Sequence, residues 1–182
     1  MNITNIALRL FWWIVDENLD NVKKNIAPDI EKESIRRISS LSEVKEETRT
    51  LFCNAKRKIQ IYSENLDPRI LNDRDIERIL QNFIRKSRNV RVEILIIDER
   101  NVQSLDHRLV SLAQKYTSYV SIRLIPKDHH ENHFAFYVID GRQLIYRTIA
   151  ERFESEVHQL PSVKLKQMTK YFDEIWEQSS PA

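Results

Sequence analysis

A single glycine, Gly141, stands in a chain of 182 residues, where average usage of about 7% would place roughly a dozen. That scarcity excludes whole function classes. A dinucleotide fingerprint, a P-loop and a hydrolase nucleophile elbow need several glycines where backbone meets phosphate or bends sharply, and one glycine cannot supply them. Hydrophobic residues at 41% and charged residues at 31% describe a globular chain with a core rather than a disordered one. A net charge of +2 sets no global field that demands a polyanionic partner. The only cysteine, Cys53, excludes an internal disulfide and a cysteine zinc cluster. Its setting in Leu51-Phe52-Cys53-Asn54-Ala55 predicts a buried, inert thiol, and a reducing cytoplasm is the expected compartment. No cofactor and no metal centre are expected.

Residues 1–40 read as a helical appendage and 41–182 as one α/β domain. The apolar run through Leu10, Phe11, Trp12 and Trp13 falls short of the roughly 20 residues of a membrane span. Arg9 interrupts it and Asp16-Glu17 follows it, unlike a secretory leader. A helix that docks on the domain or on a partner is the first reading and membrane-surface attachment through the Trp pair the second; no transmembrane segment is expected. Ile35, Ile38, Leu41, Val44, Thr48, Leu51, Phe52 and Ala55 recur at three and four, which predicts an amphipathic helix ending near Lys56-Arg57-Lys58. Strands are expected at 59–62, 91–97 and 120–125. Helical stripes fall between them, with Asn72 or Asp73 as a cap. Residues 133–140 and 143–149 read as a hairpin about Gly141, and a last helix follows Pro161. His158 is read as a loop residue. Strands alternating with helices imply a mostly parallel sheet flanked by helices, with a C-terminal antiparallel hairpin.

The chemistry concentrates at the hairpin. His133 is followed seven residues later by Asp140. Arg147 on the partner strand, Arg123 on the third strand and Ser63 after the first are the candidate anion-binding residues. A guanidinium binds phosphate bidentately, and open α/β sheets place ligands at the carboxyl ends of their strands. The competing reading for Arg147 is an ion pair with Glu151 or Glu154. A turn at Gly141-Arg142 puts Arg147 opposite Phe136, away from the face of His133; a turn one residue longer restores the shared face. His129-His130-Glu131-Asn132-His133 reads as a polar loop, since no further ligand sits at zinc spacing. Arg85, Lys86, Arg88 and Arg91 read as a solvated helix end.

From residue 58 to 141 the chain resembles one half of a phospholipase D superfamily domain, through the three strands and His133 with Asp140-Gly141. From about 43 to 180 it is similar to a bacterial branch with degenerate sites. That rests on Ile61-Tyr62-Ser63-Glu64-Asn65-Leu66-Asp67-Pro68, on Tyr146-Arg147 and on Phe172-Asp173-Glu174-Ile175-Trp176-Glu177. The resemblance implies that His133 attacks phosphorus, that a lysine two residues on stabilises the phosphoryl oxygens, and that Asp140 orients the imidazole. The lysine position holds Ala135. A catalytically degenerate domain that binds an anionic ligand or a protein partner is therefore expected. The alternatives are an active phosphodiesterase or nuclease homodimer using His133 from each subunit, and a purely structural module. Nucleic acid or a phosphorylated ligand remains a possible partner, and self-association is expected.

Overall fold

The runs rich in β-branched and aromatic residues at Lys58–Ser63, Arg91–Ile96, Val120–Leu124, Ala135–Ile139 and Gln143–Arg147 form the central strands of one sheet. A computed structural model describes residues 35–98 and 107–182. Strands β1 (Ile35–Ile38), β2 (Lys58–Ser63), β3 (Arg91–Ile96), β4 (Val120–Leu124), β5 (Ala135–Ile139), β6 (Gln143–Arg147), β7 (Ser155–His158) and β8 (Ser180–Pro181) lie in the order β1-β7-β6-β5-β2-β3-β4-β8. The helices are α1 (Leu41–Asn54), α2 (Arg74–Lys86), α3 (Arg108–Lys115) and α4 (Val163–Gln178). β2, β3 and β4 run parallel. β5 and β8 flank them antiparallel, and β6 and β7 continue antiparallel beyond β5. The α/β class thus holds, with a sheet that is only partly parallel.

Strand alternation sorts the core into two layers. Ile59, Ile61, Val92, Ile94, Tyr137 and Ile139 meet Leu51 and Phe52 of α1, Leu80 and Phe83 of α2 and Leu109 of α3. On the opposite face Tyr62, Leu95, Phe136 and Val138 meet Leu165, Phe172 and Ile175 of α4. That second layer is aromatic: Tyr62 stacks on Phe136 at 5.0 Å and Phe172 on Trp176 at 5.7 Å. Arg36–Ala182 form one compact unit. No helix of the described residues is long and apolar enough to cross a membrane.

Several local expectations change. The helix expected from Ile35 begins at Leu41, and Ile35–Ile38 form β1. A capping box explains the break: Ser40 Oγ accepts from Glu43 N–H while the Glu43 carboxylate accepts from Ser40 N–H at 3.0 Å. The rest of the expected appendage, with Trp12 and Trp13, lies outside the described residues. α1 stops at Asn54, so Lys56 and Arg57 belong to the connection into β2 and not to a helical turn. Cys53 is exposed, not buried, because α1 turns Thr48, Leu51 and Phe52 inward instead. His158 lies in β7 rather than a loop.

Candidate functional site

The register of the central strands decides which predicted residues meet. β5 pairs with β6 through Ala135↔Arg147, Tyr137↔Ile145 and Ile139↔Gln143. The turn is therefore one residue longer than the simplest two-residue hairpin, with positive φ at both Asp140 (55°) and Gly141 (64°). That extra residue moves Arg147 onto the face of Ala135 and Tyr137. Tyr62↔Phe136 on the other side of β5 brings Ser63 to the same edge. Ser63, Ala135 and Arg147 thus lie side by side at the carboxyl end of β2. A cleft of about 410 Å³ opens there, lined by Ser63, Glu64, Asn65, Asp67, Arg69 and Arg147 among others.

Arg147 is not free in that cleft. Its side chain is 1% exposed. Nη1 donates to Asp67 Oδ2 and, at 2.9 Å, to the Ala150 carbonyl, and Nη2 donates to the Tyr137 hydroxyl at 3.2 Å. Burial opposes the charge on this guanidinium, but Tyr137 and Asp67 outweigh it and raise its pKa. The Tyr137 hydroxyl is pushed up to about 12, first by burial. Asp67 is placed by backbone that departs from ordinary geometry, with φ of 61° at Leu66 and 30° at Asp67, a conformation costly for non-glycine residues and held only by surrounding contacts. Asn65 Oδ1 accepts from Asp67 N–H at 3.1 Å, and the Asp67 carbonyl accepts from Ile70 and Leu71. Asp67 Oδ1 also lies 3.6 Å from Arg69 Nε.

The other expected members do not join this cleft as a set. His133 is exposed and precedes β5; its carbonyl accepts from Ala150 N–H at 2.6 Å, and its ring is not part of the cleft lining. Asp140 lies at the far end of β5, roughly 23 Å along the strand at 3.3 Å per residue. Its carboxylate accepts from the N–H groups of Lys56, Arg57 and Lys58 at 2.7–2.8 Å. Asp140 therefore clasps the connection into β2 and does not orient His133. Arg123 sits on β4 with its guanidinium 4.4 Å from the Trp176 ring centre and donating to the Trp176 carbonyl at 2.9 Å. The partner of Arg147 is Asp67, not Glu151 or Glu154.

Two further histidines have local roles. His107 caps α3 through Nδ1, which accepts from Leu109 N–H at 3.2 Å. Burial lowers its pKa to about 4 despite the opposing pull of the Leu66 backbone and Asp67. Its folded pKa lies below its unfolded value, so the unfolded chain binds the extra proton between about pH 6.5 and 4. Acidification through that window is expected to cost on the order of 3 kcal/mol of stability. Urea unfolding across the window checks this, with His107→Asn, which keeps a capping side chain, expected to lose that acid sensitivity. His158 Nδ1 lies 2.8 Å from Ser162 Oγ, and its Nε2 lies 3.7 Å from Glu156. Ser162 is buried and already accepts from Leu165 N–H at the start of α4, so this trio is a helix cap rather than a nucleophile set.

Sequence reasoning passed over Asp67, Asn65 and Tyr137. Asp67 reads as a turn residue before Pro68, and its partner lies 80 positions away, beyond any local signal. Tyr137 lies inside the strand expected at 133–140, where the sequence marks it only as one more aromatic residue.

Residues 40–182 match the family described as a domain of unknown function (DUF7931). No curated protein matches. Among solved structures, the chain is similar to NucT from Helicobacter pylori, with a TM-score of 0.60 and 12% identity over 81% of this chain and 99% of that one. The phospholipase D family member Nuc from Salmonella typhimurium gives 0.58 and 16% over 82% and 97%. TrmBL2, an archaeal chromatin protein whose structure shows a novel mode of DNA binding, gives 0.59 and 12% over 98% of this chain and 66% of that one. At such identities the likeness is one of fold, and the fold is phospholipase D-like.

Proposed function

We propose, from the fact that the chain belongs to the domain-of-unknown-function family DUF7931 and has a phospholipase D-like fold, that it is a binding domain which no longer hydrolyses phosphodiesters. The observation that carries this reading is the buried pair Arg147–Asp67. Ala135 is fully buried directly across from Arg147, where a lysine would serve a phosphoryl group. The cation paired across the hairpin is Arg147, and Asp67, the Ala150 carbonyl and Tyr137 take up its donors. Losing one preorganised donor at a reacting centre costs on the order of 10²–10³ in rate. The engagement of the Asp140 carboxylate by the amides of residues 56–58 supports the same reading.

The cleft narrows the choice of ligand. Ser63, Arg147 and the half-exposed Arg69 are its anion-binding candidates, while Glu64, Asp67 and Glu151 oppose a bare phosphate. That balance supports a protein partner over a free phosphorylated ligand, with residues 1–40 as the arm that engages it. One observation favours a second reading: His133 is exposed, so its ring is open to solvent. A homodimer that pairs two such histidines would be a phosphodiesterase.

Incubation with bis-p-nitrophenyl phosphate separates the two readings. No release of p-nitrophenol above a His133→Ala variant is expected. Turnover that disappears in His133→Ala would overturn the binding-domain reading and establish the second.

A further inference from the structure

The edge of the sheet opposite the cleft carries a concentration of unpaired positive charge. Lys56 and Arg57 lead into β2, Arg85 and Lys86 close α2, and Arg88 and Arg91 lead into β3; all six are exposed. Hydrogen bonds show that these segments are neighbours. Arg91 N–H donates to the Arg57 carbonyl at 2.9 Å, Lys86 Nζ lies 3.4 Å from the Cys53 carbonyl, and Arg91 Nη1 donates to the Arg88 carbonyl at 3.0 Å. None of the six has an ion pair among the described residues. The sequence explains this, because residues 48–63 and 78–92 contain no aspartate or glutamate.

Helix dipoles account for only part of the pattern. Arg85 and Lys86 complement the C-terminal end of α2. Lys56, Arg57, Arg88 and Arg91 lie outside the helices, where no such explanation applies. Against the six cations stand the Asp140 carboxylate, held by the amides of residues 56–58, and the ends of α1, α2 and α3, each worth about half a negative charge. An excess of roughly three to four positive charges remains, enough for about three phosphate contacts. The carboxylates of α4 beside Gly141, namely Asp173, Glu174 and Glu177, bound the patch on one side.

We propose that this edge binds the phosphate backbone of nucleic acid without reading its sequence. Adjacent strands lie about 4.8 Å apart, so the cations leading into β2 and β3 share one short stretch of surface that can meet several phosphates of a backbone. No aromatic side chain is exposed in these segments to stack on or read a base. Among the described residues the exposed large apolar side chains, Ile149, Leu160 and Val163, belong to other segments, so the described edge presents none of the apolar residues that insert at a lipid surface. The site is separate from the cleft, and the inference is independent of whether the cleft hydrolyses anything.

Fluorescence anisotropy of the full chain with a labelled 20-base-pair duplex tests it. Three phosphate contacts predict a slope of about −2.7 in log affinity against log salt, roughly a forty-fold loss between 50 and 200 mM NaCl. The triple variant Arg57→Gln/Arg85→Gln/Arg88→Gln alters side chains that make no hydrogen bond or ion pair among the described residues. It is expected to lose at least ten-fold in affinity and most of that slope. The triple variant Arg74→Gln/Arg78→Gln/Arg108→Gln removes the same charge at the opposite end of α2 and should bind as wild type. Absence of binding at 50 mM salt overturns the proposal, as does equal loss in both variants. Tighter binding to vesicles with 30% phosphatidylserine than to the duplex, abolished in the first variant, overturns it in favour of a membrane surface.

Discussion

Asp67→Ala is expected to destabilise the domain by about 3–5 kcal/mol, because it leaves the guanidinium of Arg147 buried without its counter-charge. Arg147 is 1% exposed and Asp67 5%, so water cannot take the place of the missing carboxylate. The loss should appear as a lower urea midpoint with an unchanged slope. Asp67→Asn keeps an acceptor oxygen and should lose less. The double replacement Asp67→Leu/Arg147→Met should recover much of the loss, since exchanging a whole buried pair for apolar groups is often neutral or better. A double variant no more stable than Asp67→Ala would mean that the pair does something other than satisfy itself. The same experiment bears on function. If Arg147 served a bound phosphate, freeing it from Asp67 would create phosphate affinity and spare stability.

Restoring the missing lysine by Ala135→Lys is expected to cost several kcal/mol and to restore no hydrolysis. Ala135 is completely buried and faces Arg147 directly across the hairpin. Like charges in directly opposed positions destabilise a sheet, and a buried ammonium without a partner costs more still. Adding Arg147→Leu to Ala135→Lys leaves the new ammonium to pair with Asp67 and should return part of the stability. Thermal unfolding of the single and double variants measures both effects. A stable Ala135→Lys protein that cleaves bis-p-nitrophenyl phosphate where the parent chain does not would show that position 135 decides hydrolysis.

Those two residues also mark how far the sequence could be read. The β-branched run into β3 and the alternation in β4 identified the parallel strands, because such patterns need no partner to be recognised. The hairpin about Gly141 was legible for the same reason, yet its register was not. One extra residue in the turn, with positive φ at Asp140 as well as Gly141, decides which face Arg147 occupies. The boundary of α1 was available in principle: Ser40 and Glu43 form a capping box, but the spacing of Ile35, Ile38 and Leu41 mimics one more helical turn. β7 is four residues with glutamate and histidine in it, too short and too polar for a strand pattern. The candidate site was half legible. Ser63 and Arg147 meet at the cleft, whereas the Asp67 that neutralises Arg147 lies 80 positions away, and only the folded backbone brings it near. The interval from His133 to Asp140 suggested one catalytic set, but a seven-residue separation on a strand places its ends far apart.

The Asp140 clasp bears on the order in which this chain can assemble. Its carboxylate binds amides 82 to 84 positions earlier, and β2 takes β5 as its neighbour across the same gap. Closing a loop of that length costs about 4 kcal/mol of chain entropy before any contact offsets it. The parallel core of β2, α2 and β3 closes shorter loops and has the entropic advantage. Docking of the β5–β6 hairpin onto β2 is then the late event in assembly, and Asp140 acts as a latch after it. A latch of that kind leaves the rate of folding alone and slows the rate of opening. The aspartate that resembled a catalytic residue is thus expected to act on how long the folded domain lasts, through the rate of unfolding.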